Sequence, residues 1–274
     1  MSNSTACQLL VSANTLEECI LLQDLSVPWI DLKEPRHGPL GRPELPLVKQ
    51  FANRMTSASS IKAHWSIAGG ELPDWKPQAD QAYIEAVCLR ETHRETHRET
   101  HRETHRETTR GTDRSDGHIK WGLAQAGRTS DWQVKLAKLV EQIPSPGQVI
   151  LVHYADYTRV EAPEWKKVLS IAAELKIDKI LIDTAIKDGS KLTDWLEIPA
   201  LEQRIQDAKR WNFQIAIAGS IPLDQLAKLS RLEPNWIGVR GAVCRNPKDR
   251  TSTIDPGLVE KALAQVGLSR AEVG

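Results

Sequence analysis

Short apolar runs, rich in β-branched and aromatic residues, alternate with longer amphipathic stretches along almost the whole chain. The runs are QLLVSA (8–13), WIDLK (29–33), IKAHWSIAG (61–69), HIKWGLA (118–124), GQVILVHYAD (147–156), DKILIDTA (178–185), FQIAIAGS (213–220) and NWIGVRGAV (235–243). The stretches that follow them carry apolar positions at helical spacing: 15–25, 45–55, 78–90, 130–143, 163–176, 199–210, 222–232 and 255–267. Ser130 is expected to cap one of these helices and Pro163 to stand at the first position of the next. The runs are almost continuously apolar, as parallel strands buried on both faces are. Eight strand–helix units over about 250 residues predict a single (β/α)8 barrel spanning 7–267. An open doubly wound sheet is the rival with the same alternation, but no strand is followed by a GxGxxG turn.

The alternation is broken once, by LRETHRETHRETHRETHRETTRGTDRSDG between the third helix and the fourth strand. Residues 91–117 are expected to form an insertion at the bottom face, either a helix extension or a flexible loop. Each Glu-Thr-His-Arg unit adds one acid and one base. On a helix, like charges would stack at i,i+4, partly offset by Glu–Arg pairs at i,i+3. His93, His97, His101 and His105 would then share the two-histidine metal spacing. The near-identity of the units fits tandem expansion in a tolerant loop better.

Acidic and basic residues balance at 36 each, which speaks against a general nucleic-acid or membrane-surface binder. The four cysteines (Cys7, Cys19, Cys88, Cys244) form no CxxC pair and read as reduced thiols of a cytoplasmic protein. The first residues have neither a basic segment nor a long apolar one, so no signal peptide is expected, and no run approaches the roughly 20 residues of a membrane span. His37 and His64 show no ligand spacing, and no metal or cofactor is expected. Homo-oligomerisation is left open.

A barrel of this kind keeps its chemistry at the carboxyl ends of its strands. Those ends carry lysine and aspartate: Asp31 and Lys33 on the second strand, Lys120 on the fourth, Asp183 and Lys187 at and after the sixth. The period-2 rule turns Asp31 and Lys33 to the same, inward face. A lysine there either pairs with a carboxylate or loses its proton and becomes a nucleophile able to form a Schiff base. Snorkelling to the rim beside an aspartate is the plainer alternative for any one of them. After the seventh and eighth strands, Gly219, Ser220, Arg240 and Gly241 stand where this fold customarily binds phosphate. The stretch His153–Arg159 after the fifth strand is a weaker candidate for proton transfer or a second phosphate contact, with Arg159 the suggested ligand.

Taken together, IDLKEP…GPLG, IKWGL, HYADYTR, LIDTAIKDG, AIAGSI and GVRGAVC resemble the (5-formylfuran-3-yl)methyl phosphate synthase family of methanofuran biosynthesis. The likeness runs from the first strand to the last helix, with the repeat as the main foreign piece. It implies a carbon–oxygen lyase that condenses two glyceraldehyde 3-phosphate molecules into a furan aldehyde, with loss of phosphate and water. By motif, Lys33 would be the Schiff-base lysine and Lys120 the proton acceptor, with Asp31, Asp183 and Lys187 completing the cluster. Trp121 departs from the family, in which a smaller aliphatic residue is expected. Another Schiff-base barrel acting on a phosphorylated sugar is the nearest alternative. An interaction protein using the repeat is a more distant one.

Overall fold

Each apolar run becomes a strand because its neighbours on both sides are equally apolar and complete its backbone hydrogen bonds. The computed structural model describes residues 6–57, 63–88 and 117–267. Its strands are β1 (Gln8–Ala13), β2 (Trp29–Leu32), β3 (His64–Glu71), β4 (Gly117–Gly122), β5 (Val149–Tyr154), β6 (Lys179–Asp183), β7 (Gln214–Ile217) and β8 (Trp236–Val239). Every strand pairs in parallel with the next. β1 returns to β8 in a register running from Gln8 opposite Trp236 to Val11 opposite Val239. That last pairing excludes the open sheet: the fold is a single closed (β/α)8 barrel.

The longer helices of the outer ring are α1 (Leu16–Asp24), α2 (Leu45–Ser57), α3 (Pro77–Cys88), α4 (Trp132–Glu141) and α5 (Trp165–Glu174). They are followed by α6 (Leu192–Trp195), α7 (Ile198–Arg210), α8 (Leu226–Ser230) and α9 (Pro256–Gly267). Two expected starts are corrected. Asp131, not Ser130, occupies the cap of α4, with no side-chain bond. The cap of α5 is Glu164, leaving Pro163 one residue outside. Both helices begin at a buried tryptophan, Trp132 and Trp165, so packing sets the start rather than the polar or cyclic residue before it. The repeat expected at 91–117 lies outside the described residues apart from Gly117, which opens β4. All four cysteines are buried. Among the described residues no helix is long and apolar enough to cross a membrane.

Inside the barrel the floor is aromatic. The Trp29 ring lies 4.7 Å from that of Trp236 and 5.1 Å from those of both His64 and His118. Its indole N–H donates to Ser66 Oγ at 3.0 Å, which ties the floor to the polar layer above. Trp29→Ala is expected to cost ~3–5 kcal/mol of stability in urea unfolding. Trp29→Phe, which keeps an aromatic ring but loses the hydrogen bond and part of the ring volume, is expected to cost about 1–3 kcal/mol. A Trp29→Ala protein as stable as the parent would remove the floor's structural role.

Candidate active site

Two residues up β2 from Trp29, the same inward face presents Asp31, wholly buried. The register sets Ser12 of β1 and Ser66 of β3 directly on either side of it. Ser12 Oγ donates to Asp31 Oδ2 at 2.9 Å, and Ser66 Oγ donates to Oδ1 at 2.8 Å. Lys120 Nζ of β4 stands 2.9 Å from the same Oδ1, with its side chain 3% exposed. A carboxylate and an ammonium this far from water are each expensive, and tolerable only when paired and further hydrogen-bonded. Here the pair and two hydroxyls answer both oxygens.

A second pair forms at the end of β6. Lys187 Nζ donates to Asp183 Oδ1 at 2.8 Å and to Thr184 Oγ1 at 3.0 Å. Burial pushes the Asp183 carboxyl up, but the charges of Lys187 and Lys33, with the hydrogen bonds from Lys187 and the Thr184 N–H, together hold it below the usual carboxylate range. The loop carrying Lys187 is fixed from β5. The buried Asp156 carboxylate accepts from the N–H of Ala185 at 2.7 Å and of Ile186 at 3.0 Å.

Lys33 is the third lysine, and its situation differs. Its backbone N–H still bonds Ala13 O at 3.0 Å, one step beyond the β2 ladder, so its side chain keeps the inward direction of Asp31. Among the described residues no carboxylate contacts its ammonium. Burial, and then the Arg250 charge, push its pKa down to about 7, against the opposing pull of Asp183 and Asp31. Asp31, Lys33, Lys120, Asp183 and Lys187 all line one cavity of about 1020 Å³ at the carboxyl ends of the strands. Trp121 alternates away from it, under the Arg42 guanidinium.

Gly219, Ser220 and Gly241 border the same cavity. Gly219 has φ +117°, and a Cβ there would meet Thr184 at 3.0 Å and Leu192 at 3.3 Å, so the close turn needs glycine. Ser220 follows with φ +50°. Among the described residues the backbone N–H groups of Gly219, Ser220 and Gly241 donate to no protein backbone acceptor. Free N–H groups at such a turn are what an anion needs.

Three expected contributors are corrected. Arg240 lies on the wall, but all five of its donors are taken: Arg250 O (2.6 Å), Ser12 O (2.8 Å), both Glu18 oxygens (2.9 and 3.5 Å) and Ser252 O (3.4 Å). It clamps β1, α1 and the β8–α9 loop together and leaves no fork for a phosphate. Arg159 is off the cavity wall, paired with Asp188 at 2.9 Å and stacked on Trp195. His153 faces the helices, where Nε2 accepts from Arg204 at 2.5 Å; burial and the Arg204 charge push its pKa down to about 3. Two residues went unnoticed in the sequence. Arg250 lines the cavity from the β8–α9 loop. Glu71 ends β3 bonded to Tyr154 Oη and the Ala124 N–H, its pKa pushed up to about 7 by burial.

Residues 9–93 and 98–263 match the family described as 4-HFC-P synthase. The chain is 35% identical over 131 residues to the (5-formylfuran-3-yl)methyl phosphate synthase of Methanosarcina barkeri, covering 48% of this chain and 55% of that one. It is 31% identical over 146 residues to the synthase of the same name from Archaeoglobus fulgidus, covering 53% and 61%. The chain thus spans little more than half the length of the curated relatives it matches. Among solved structures it is similar to 3-hexulose-6-phosphate synthase from Salmonella typhimurium, with TM-score 0.57, 13% identity and 96% and 99% of the two chains covered. It is also similar to phosphoribosyl anthranilate isomerase from Thermus thermophilus, with TM-score 0.53, 10% identity and 95% and 98% covered. At these identities the likeness is one of fold alone.

The clamp has a measurable consequence. Arg240→Met leaves the Glu18 carboxylate buried without its cation, and a loss of ~3–5 kcal/mol in urea unfolding is expected. A change below about 1 kcal/mol would show that the five contacts do not hold the rim.

Proposed function

The chain belongs to the 4-HFC-P synthase family, and on that premise we propose that it condenses two molecules of glyceraldehyde 3-phosphate into (5-formylfuran-3-yl)methyl phosphate through a Schiff base on Lys33. The observation that carries this reading is the difference among the three lysines at the strand ends, Lys33, Lys120 and Lys187. Lys120 and Lys187 are each tied to an aspartate, whereas Lys33 has no ion-pair partner among the described residues and a pKa pushed down to about 7. An amine attacks a carbonyl only as the free base, and Lys33, with its pKa pushed down to about 7, is set up to offer one near neutral pH.

In this reading the Lys33 nitrogen adds to the aldehyde carbon of one triose phosphate, and loss of water gives the iminium. The iminium draws electrons from the adjacent carbon and makes its proton removable. Lys120 takes that proton once its own has passed to Asp31, 2.9 Å away. The enamine then attacks the aldehyde of the second triose. Asp183 and Lys187, on the opposite wall, act as the acid–base pair for the later eliminations. Loss of one phosphate and of water closes an aromatic ring, which makes the sequence irreversible, and expulsion of the Lys33 amine from the imine carbon, by water or by the ring oxygen, frees the product. The free N–H groups of Gly219, Ser220 and Gly241 support one phosphate site.

Incubation of the full chain with glyceraldehyde 3-phosphate is expected to yield the furan aldehyde phosphate by mass spectrometry, and Lys33→Ala to yield none. Borohydride is expected to trap a reduced adduct on Lys33. Because Lys33 is protonated below its pKa, trapping is expected to fall roughly tenfold per pH unit below about 7. A full-strength adduct in Lys33→Ala assigns the imine to another lysine. An adduct without any furan product points to a different aldolase chemistry on a phosphorylated sugar.

A further inference from the structure

A reaction between two phosphorylated trioses needs two phosphate sites, and the cavity shows the charge for both. Eight lysine and arginine side chains line it against four aspartates, in a chain whose formal net charge is zero. That local surplus of four positive charges matches the roughly three to four negative charges that two phosphate monoesters bring at neutral pH. The Gly219–Ser220–Gly241 backbone accounts for one of them. Most cationic groups near the reacting lysine are already engaged: Lys120 with Asp31, Lys187 with Asp183, and Arg240 with five acceptors.

Arg250 differs from all of these. It is half-buried on the cavity wall, and among the described residues its guanidinium makes no hydrogen bond and no ion pair. Its charge lies near enough to act on Lys33 and to be acted on by Asp183. Its backbone is held from below, since Arg250 O accepts from Arg240 Nε at 2.6 Å. The loop itself is closed at its base by the antiparallel bridge of Cys244 with Ile254 and by the Arg245 N–H bond to Thr253 O at 2.9 Å. The Ile254 N–H in turn donates to Glu18 at 3.1 Å. A guanidinium fork with its donors unused, facing a cavity on a fixed backbone, is a receptor for a planar pair of anionic oxygens.

We propose that Arg250 binds the phosphate of the triose held on Lys33, and so supplies the second phosphate site of the cavity. The assignment rests on the reading of Lys33 as the imine lysine. Its chemical consequence is selection: Arg250 favours aldehydes that carry a phosphate within reach of the imine over neutral aldehydes of the same length. It also leaves the Gly219–Ser220 site for the second triose.

The test compares borohydride-trapped adduct on Lys33 as a function of the concentration of glyceraldehyde 3-phosphate and of unphosphorylated glyceraldehyde. In Arg250→Met the half-saturating concentration of the phosphorylated aldehyde is expected to rise at least tenfold. The half-saturating concentration of glyceraldehyde reports the part of that rise that comes from losing the Arg250 charge beside Lys33, and is expected to rise several-fold less; Arg250→Lys is expected to recover part of the loss. Inorganic phosphate, titrated calorimetrically into the parent and Arg250→Met chains, is expected to lose one binding site in the variant; this readout involves no imine. Equal half-saturation for the phosphorylated aldehyde in parent and variant, or unchanged phosphate stoichiometry, would overturn the proposal. So would an equal loss for both aldehydes, which would mark Arg250 as acting only through the fold or through its charge on the Lys33 amine. If no adduct forms on Lys33 in the parent, the imine reading fails, while the phosphate titration still decides whether Arg250 binds the anion.

Discussion

A carboxylate sealed inside a barrel has to be answered on both oxygens, and Asp31 is answered by Ser12, Ser66 and Lys120. The rest of the site follows from that saturation. Both Asp31 oxygens are already occupied by two hydroxyls and an ammonium, so Lys33, two residues further up the same face, finds no partner there. Asp183 has its own lysine. Three lysines therefore stand around two aspartates, and the unmatched one, Lys33, is buried. Its depressed pKa is the electrostatic result of that imbalance, with burial as the leading cause. A structural ion-pair network would have no use for an uncompensated third ammonium. A nucleophilic amine needs just that setting.

The layers beneath and around this centre hold it in register. The aromatic floor supports Ser66 through Trp29, and Ser66 supports Asp31. Arg240 ties Ser12 O and Glu18 to the loop that presents Arg250. Asp156 fixes the turn ahead of Lys187. Most of these links are buried polar contacts, and each ties a strand, or the loop after it, to a neighbouring element. The cavity is thereby shaped by hydrogen bonds between loops as much as by the barrel.

The barrel itself was legible in the sequence because continuous apolar runs and helical spacing depend only on local pattern. The inward direction of Asp31 and Lys33 followed from the same period-2 rule. That rule, applied to β5, would also have turned His153 outward between Val152 and Tyr154. Arg240 was misread because a sequence shows a charge but not its partners. The five acceptors come from residues 12, 18, 250 and 252, which only the closed fold brings together. Arg250 was missed for the converse reason. It sits in a polar loop of unremarkable composition, and its approach to Lys33 depends on a bridge between Cys244 and Ile254 that no local signal announces. Arg159 was placed on the correct rim, yet Asp188 and Trp195 hold it off the cavity.

Whether Lys33 is the neutral amine is read most directly by titrating it in the resting protein. Reductive methylation with carbon-13 formaldehyde, followed by NMR across pH, gives a resonance for each lysine, and Lys33→Ala identifies the one in question. A midpoint near pH 7 for Lys33 is expected. A midpoint in the ordinary lysine range near 10.4 would mean that the amine is charged at neutral pH, and would contradict its role as the waiting nucleophile.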